Sequence, residues 1–307
     1  MSITVSALFY SPIKSAGGAR LSAQGQGVEV TPRGFKHDRQ YVVVEGDMFV
    51  AQRRDSLPLP LPGLVKDALG PSGLGIEVRR LCQVTPRVSG KELIVSAPDM
   101  ALLRLPIDGF PGKEETITVW QDRKLKAVDQ GKEASLWFTK FLSRERPGYY
   151  RLMRMADTCR WQSKGGSALQ GFHDGFPFMM ISDASLGNLN DLLLGKGSLC
   201  VEANRFRPNI WLRGCEPHQE DHFSLIRIGE VVFEGKKLCD RCVVTCTEQH
   251  TALRGKEPLA TLVAYRLGKH LGIEGDAENK VFFGRNFDHQ NTGIIRVGDE
   301  VEVLRLD

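Results

Sequence analysis

The chain has 307 residues, of which 41% are hydrophobic and 25% charged, with a formal net charge of +4. That is enough chain to bury a substantial core and to divide into two units, at the composition of an ordinary globular protein. The small charge, without a run of about five or six Lys or Arg residues, argues against a nucleic-acid polymer as partner, and no apolar stretch reaches the ~20 residues of a membrane-spanning helix.

Met1-Ser2-Ile3-Thr4-Val5 carries neither a basic start nor a sustained apolar run, so no targeting segment and a cytoplasmic location are expected. Thr4–Tyr10 is a β-branched and aromatic run closed by Ser11-Pro12, and predicts a strand. Residues 40–44 and 48–52 flank Glu45-Gly46-Asp47, a short connection suited to a hairpin. Between that pair and the next, Leu57-Pro58-Leu59-Pro60-Leu61-Pro62-Gly63 places proline at every second position. This removes the amide donors of a central strand and predicts an edge or polyproline-like connection. Glu92–Ser96 and residues 101–105 flank Ala97-Pro98-Asp99 as a second hairpin.

Helical spacing begins after residue 130. Ala134, Trp137, Phe138 and Phe141 share one face of 132–143, and Leu186, Leu189 and Leu193 one face of Asp183–Leu194. Residues 256–271 repeat the pattern with Leu259, Leu262, Val263 and Arg266, and Pro258 suits a first turn. Strand-like segments fall at 209–212, 224–228, 231–233, 292–297 and 300–304. The expected fold is α+β and β-rich: a β-rich unit over residues 1–125, then a mixed α+β unit over 126–307.

Seven cysteines suit a reducing compartment, and Cys82, Cys159, Cys200 and Cys215 are scattered as buried thiols would be. The other three crowd into Cys239-Asp240-Arg241-Cys242-Val243-Val244-Thr245-Cys246, with His250 close behind. Three sulfurs and an imidazole admit a structural zinc site. Against it, the run from Cys242 to Thr247 is apolar and β-branched, and a strand there would separate Cys239 from the others. A C-x-x-C redox pair wants a helix after the first thiol, and no helical periodicity follows Cys242. Small buried hydrophobes are the plain reading, and suit Cys246. A single thiolate ligand to a redox metal, favoured by the neighbouring Arg241, is the third reading of Cys242.

Arg205-Phe206-Arg207-Pro208-Asn209-Ile210, with Cys242 following 35 residues after Arg207, resembles the core signature of the MOSC family. The nearest branch in character is that of the bacterial YcbX-like proteins and the mitochondrial amidoxime-reducing component. Further matches run in order along the chain: Ser11-Pro12-Ile13-Lys14-Ser15, Gly34 with Asp38-Arg39, Ser182-Asp183-Ala184-Ser185-Leu186, Cys239-Asp240-Arg241-Cys242, Pro258-Leu259-Ala260-Thr261-Leu262 and Phe283-Gly284-Arg285-Asn286-Phe287. The resemblance implies a MOSC N-terminal β-barrel domain, then a MOSC domain, with molybdenum held by a molybdopterin between them. It implies reduction of N-hydroxylated compounds, such as amidoximes, hydroxylamines and N-hydroxylated bases.

By the same resemblance Cys242 is the metal ligand and catalytic residue. Lys14, Ser15, Arg39 and Arg207 are the phosphate binders, and Asn209, Asp240, Arg241 and Asn286 complete the cofactor set. Charged donors from several segments suit a phosphate dianion in a partly dry cleft. On residue type alone, Lys14 reads as a solvated surface charge and Asn209 as a turn residue. His218 and His222 lie in a polar stretch, 216–221, that reads as a solvated loop, and His250 has no assigned role.

The chain departs from the family pattern after Cys242. Cys246 stands for a threonine, Glu248-Gln249 for Asp-Pro, and Ala252 for a glycine; earlier, Ala51 precedes Gln52-Arg53 where a threonine is usual. No C-x4-C-x2-C cluster follows, so no iron–sulfur cluster is expected in this chain, and a separate flavoprotein or ferredoxin-type reductase would supply electrons. A non-catalytic carrier of the same cofactor is the alternative, because fold alone does not settle function.

Overall fold

The computed structural model describes residues 2–52, 76–120 and 123–307; the proline-alternating run at 57–63 lies outside them. Two large β-systems and two three-stranded sheets make up the strands of the described residues. The larger is an eight-stranded sheet in the order Ala19–Leu21, Thr4–Tyr10, Ile210–Arg213, Phe178–Ser182, Val281–His289, Val231–Arg241, Phe223–Ile228, Val301–Leu306. Every pairing is antiparallel except that of Phe178–Ser182 with Ile210–Arg213. The first strand of the chain therefore lies inside a sheet made mainly by residues 178–306. Gly27–Thr31 is likewise recruited, pairing with Gly293–Arg296.

The second system runs Glu114–Val119, Arg123–Asp129, Tyr150–Met155, Tyr41–Glu45, Met48–Ala51, Ile76–Glu77. A further pairing of Thr118 with Met48 closes it into a barrel. Tyr41–Glu45 reads as a nearly continuous apolar run because both its faces are covered. Val42 and Val44 pack with Ile117, Leu125 and Met153, and Tyr41 and Val43 with Leu93, Phe138 and Phe141 outside them. The fold is thus β-rich α+β, with an N-terminal β-barrel and a mixed α+β region. Residue 125, where the sequence places the joint, lies inside Arg123–Asp129, which pairs on both sides.

Both predicted hairpins are present, as Tyr41–Glu45 with Met48–Ala51 and Glu92–Ser96 with Leu103–Pro106. The predicted helices at 132–143 and Asp183–Leu194 occur as Gly131–Leu142 and Asp183–Leu194, with the expected residues buried. The third is shorter. It runs Leu259–Arg266 and stops because Leu267 turns extended to bridge Val281. A 3-10 turn, Gly268–Leu271, follows, packed so closely that a Cβ on Gly268 would lie 2.2 Å from the Ala277 carbonyl oxygen. Pro258 sits just before the helix rather than in its first turn.

Three further expectations are corrected. Residues 242–247 do not continue a strand: Val231–Arg241 ends at Arg241, and Val243–Cys246 forms a 3-10 turn. The 216–221 stretch is not a solvated loop, since Glu220 and Asp221 are buried and the His218 ring rests against Tyr265 and Phe283. Burial pushes its pKa down to about 4. Cys200 is exposed, whereas Cys82, Cys159 and Cys215 are buried as expected.

Ser182 links these features. Its hydroxyl caps Asp183–Leu194 by accepting from the Ser185 amide at 3.1 Å and donates to Glu220 at 2.9 Å. Ser182→Ala removes the cap and leaves a buried acceptor short of a donor, which should lower stability by about 2 kcal/mol. Urea unfolding with an unchanged slope would show this as a lower midpoint. An unmoved midpoint would mean that neither contact matters.

Candidate functional site

Of the residues named by the sequence, Lys14, Arg39, Arg207 and Asn209 come together where the barrel meets the larger sheet. Ser11-Pro12-Ile13 leaves the first strand and runs beside the barrel: Ile13 bridges Tyr41, and the Lys14 amide donates to the Tyr41 carbonyl at 2.8 Å. The following turn places Ser15 in the left-handed region, at φ 65°. Lys14 is buried, not a solvated surface charge. Its ammonium donates to the Phe172 carbonyl at 2.8 Å and pairs with the carboxylate of Asp174. Burial draws its pKa down to about 8, against the opposing pull of Asp174.

The Asp38–Arg39 turn supplies the organising group. The Asp38 carboxylate is buried. It accepts from the Ser11 amide at 2.6 Å and the Asn209 side-chain amide at 2.8 Å, lies 3.2 Å from His173 Nε2, and pairs with Arg39. Burial alone would raise its pKa, but Arg39, His173 and the Ser11 amide outweigh that and hold it at about 2. Burial lowers the pKa of His173 against the pull of Asp38; facing an acceptor-only carboxylate, Nε2 is the donor, and Nδ1 is without a partner among the described residues.

The 205–209 segment ties this turn to the cysteine run. Arg205 donates to the Thr245 carbonyl at 2.8 Å, in the turn that opens with Cys242. Arg207, left-handed at φ 55°, donates to the Ala16 carbonyl at 2.5 Å and more weakly to Ser11 Oγ at 3.4 Å. Burial lowers its pKa to about 10. Asn209 serves the protein's own frame. Besides holding Asp38, it accepts from the Met179 amide and lies 3.4 Å from the Phe9 carbonyl.

The Arg241 guanidinium is engaged by backbone carbonyls and acts on the Cys239 thiol. Strand alternation sends it inward, where it donates to the carbonyls of Phe283 and Phe206 and lies against Met179 Sδ. Cys242 follows at the strand end as a half-buried free thiol. Asp240 is partly exposed and pairs with Lys237 at 3.3 Å. Asn286 hydrogen-bonds the side chain of Cys239, whose pKa is raised by burial. Cys246 is directed at the Lys256 carbonyl. Among the described residues no group of three or more His, Cys, Asp or Glu is gathered as a zinc ion requires.

A cleft of about 790 Å³ opens at this junction. Arg39, Arg207 and Ser11 form a polar part of its wall, Phe9 and Trp211 an aromatic part, and Gln249 closes it from the loop beyond Cys242. Arg39 and Arg123 act on Lys14 against the pull of Asp174, and Arg39 acts on Arg207 against Asp38 and Asp174, so among the described residues this cluster holds four cations to two carboxylates. That donor set suits a phosphate dianion. Asp38, His173, Asp174 and Arg205 had no role assigned from the sequence. Asp38 stood in a quoted motif, but nothing local marks a carboxylate whose partners are 27, 135 and 171 residues away.

Two family models match the chain: the MOSC N-terminal beta barrel domain over residues 2–59 and the MOSC domain over residues 170–302. Mitochondrial amidoxime reducing component 2 of Rattus norvegicus is 30% identical, covering 97% of this chain and 82% of its own. Mitochondrial amidoxime-reducing component 1 of Homo sapiens is 29% identical over 98% and 83%. The YUAD protein of Bacillus subtilis aligns over 98% of this chain and 95% of its own, at a TM-score of 0.36 and 10% identity, too distant a likeness to carry an argument.

Two outcomes are expected at this site. The depressed Asp38 pKa contributes stability that is complete above about pH 4 and lost as pH falls from there towards 2, on the order of 2 kcal/mol in all. Asp38→Asn should be less stable at neutral pH and should flatten that acid limb. Urea midpoints at several pH values for both proteins would test it, and an unchanged acid limb would refute it. Ala252, where a glycine was expected, is left-handed at φ 59°. Ala252→Gly should therefore raise stability by about 0.5–1 kcal/mol, read as a higher unfolding midpoint; a lower one would sink the argument.

Proposed function

The chain belongs to the MOSC-domain family, and on that premise we propose that it is a molybdenum-cofactor oxidoreductase. It reduces N-hydroxylated compounds (amidoximes, hydroxylamines, N-hydroxylated bases) with electrons from a separate flavoprotein or ferredoxin-type reductase. The observation that supports this most is a cleft walled by Arg39 and Arg207, with the turn that opens at the half-buried free thiol Cys242 tied to the same 205–209 segment through Arg205. The likeness to proteins named as amidoxime-reducing components points the same way.

The residues present fit a molybdopterin. A single soft sulfur donor, a buried ammonium with half-buried guanidinium groups around it, and a cleft of this volume match a metal–dithiolene group carrying a phosphate. Bound there, the group supplies two-electron chemistry that takes the oxygen from an N–OH bond, with two protons consumed and water released.

The chain's own part is to bind and orient. Cys242 is the metal ligand and catalytic residue. Arg39 and Arg207 supply planar donor forks to the phosphate, and Lys14 and the Ser15 turn add charge and hydroxyl. Asn209 acts through Asp38, holding Arg39 in place. Arg241 fixes the end of the strand that presents Cys242, and Asp240 and Asn286 brace the same strand. A cytoplasmic location and a detoxifying role belong to the same reading. No helix among the described residues is long and apolar enough to cross a membrane.

Protein purified from a host able to make the cofactor should carry close to one molybdenum per chain and reduce N-hydroxylated substrates when given a competent reductase. Cys242→Ser should fold and lose turnover by at least about a thousandfold. Tight cofactor binding with no turnover on any N-hydroxy compound would replace this reading with that of a cofactor carrier.

A further inference from the structure

The turn that follows Cys242 leads into a loop, 247–255, that is closed on itself and fastened to the barrel. The loop is internally complete. The Glu248 carboxylate accepts from the amides of His250 and Thr251 and from the Thr251 hydroxyl. The Glu248 amide donates to Leu253, and Gly255 returns to the Cys246 carbonyl at 3.1 Å. Gln83 and Cys82, both outside this half of the chain, donate to the carbonyls of His250 and Gln249.

Arg254 makes the third and strongest attachment. Its guanidinium reaches Thr247 Oγ1 at 3.0 Å, Glu77 at 2.8 Å and the carbonyl of Gln52. The ion pair with Glu77 is well covered, with the two side chains 12% and 19% exposed, so it is not a screened surface pair. Gln52 then carries the connection onward. It is 1% exposed, and its side-chain amide donates to the Ser15 carbonyl at 2.6 Å. Ser15 is the left-handed residue of the Lys14 turn, a conformation that persists only where neighbours over-determine it.

One residue thus separates the loop beyond the thiol from the turn with the buried ammonium. We propose that Arg254 is a positioning residue: through Thr247 and Gln52 it sets the spacing between the Cys242 turn and the Lys14–Ser15 turn. This rests on the cofactor-binding reading, in which the two turns grip opposite ends of one molecule. A shift of about 1 Å between such grips is enough to degrade binding and orientation together.

Three variants test it: Arg254→Ala, Arg254→Lys, and Thr247→Val, which deletes one acceptor while keeping shape. In holoprotein, Arg254→Ala should release the cofactor at least tenfold faster on dialysis, read as molybdenum per chain. Thr247→Val should release it several-fold faster, and Arg254→Lys should recover part of the loss. The sulfur-to-metal absorption should shift in Arg254→Ala, a change that loosened folding alone would not produce. Hydrogen exchange on the cofactor-free proteins should show residues 14–17 and 247–255 losing protection together.

Wild-type release rates in both Arg254→Ala and Thr247→Val would overturn the proposal. So would exchange confined to 247–255 with residues 14–17 unchanged. A wild-type protein that holds no molybdenum would instead overturn the oxidoreductase reading, and the exchange result would still decide whether Arg254 couples the two turns.

Discussion

The Asp38 carboxylate sits out of water, and a buried charge is tolerable only when its lone pairs are filled. The groups that fill them come from four parts of the chain: the Ser11 amide, the Arg39 guanidinium, the His173 ring and the Asn209 amide. Each must arrive at hydrogen-bond distance for the folded state to avoid a penalty of several kcal/mol. One desolvated group therefore brings together the end of the first strand, the 36–39 turn, the 172–174 loop and the 205–209 segment. Arg207 follows from the same arrangement. A guanidinium buried among other cations would be unfavourable, but Asp38 and Asp174 lie close enough to oppose that effect.

The backbone bears the mark of this assembly. Among the described residues, eight that are not glycine are left-handed, and Ser15, Arg39 and Arg207 are three of them. Each such residue costs about 1–3 kcal/mol, so their concentration in one place needs a compensating source of order. Their neighbours supply it. Gln52 holds the Ser15 carbonyl, the Arg39 amide donates to Ser11, and the Arg207 side chain reaches Ala16. Strain and satisfied hydrogen bonds coincide, which is how a fold holds donors in position before a ligand arrives.

What was legible in the sequence was what depends on short-range periodicity. Thr4–Tyr10 and Asp183–Leu194 were readable to the residue because apolar spacing and flanking turn signals lie within the element. The third helix was over-extended because its pattern continues past Arg266, while a bridge from Leu267 to a distant strand ends it. Polar residues misled most. Glu220 and Asp221 read as solvated because their partners Ser182, Arg266 and Arg285 are 38, 45 and 64 positions away. At the site, the motifs named Lys14, Arg39, Arg207 and Asn209, which the fold gathers, but not what each of them touches. Nothing in Cys239-Asp240-Arg241-Cys242 tells that Arg241 turns inward to the carbonyls of Phe206 and Phe283.

The interleaved topology explains why the site lies where it does. The chain passes from the eight-stranded sheet towards the barrel through residues 11–15 and again between Phe35 and Tyr41, and returns between Met155 and Phe178. Lys14, Ser15, Asp38 and Arg39 lie on the outward passages; Phe172, His173 and Asp174 lie on the return. Crossing segments lack a ladder partner, so their amides and carbonyls must be satisfied by side chains, by one another or by a ligand. A barrel and a sheet built from separate stretches of chain would meet through surfaces already satisfied. Because the first strand belongs to the sheet of residues 178–306, the crossings are forced into the junction, and with them the polar groups from which a binding site is made.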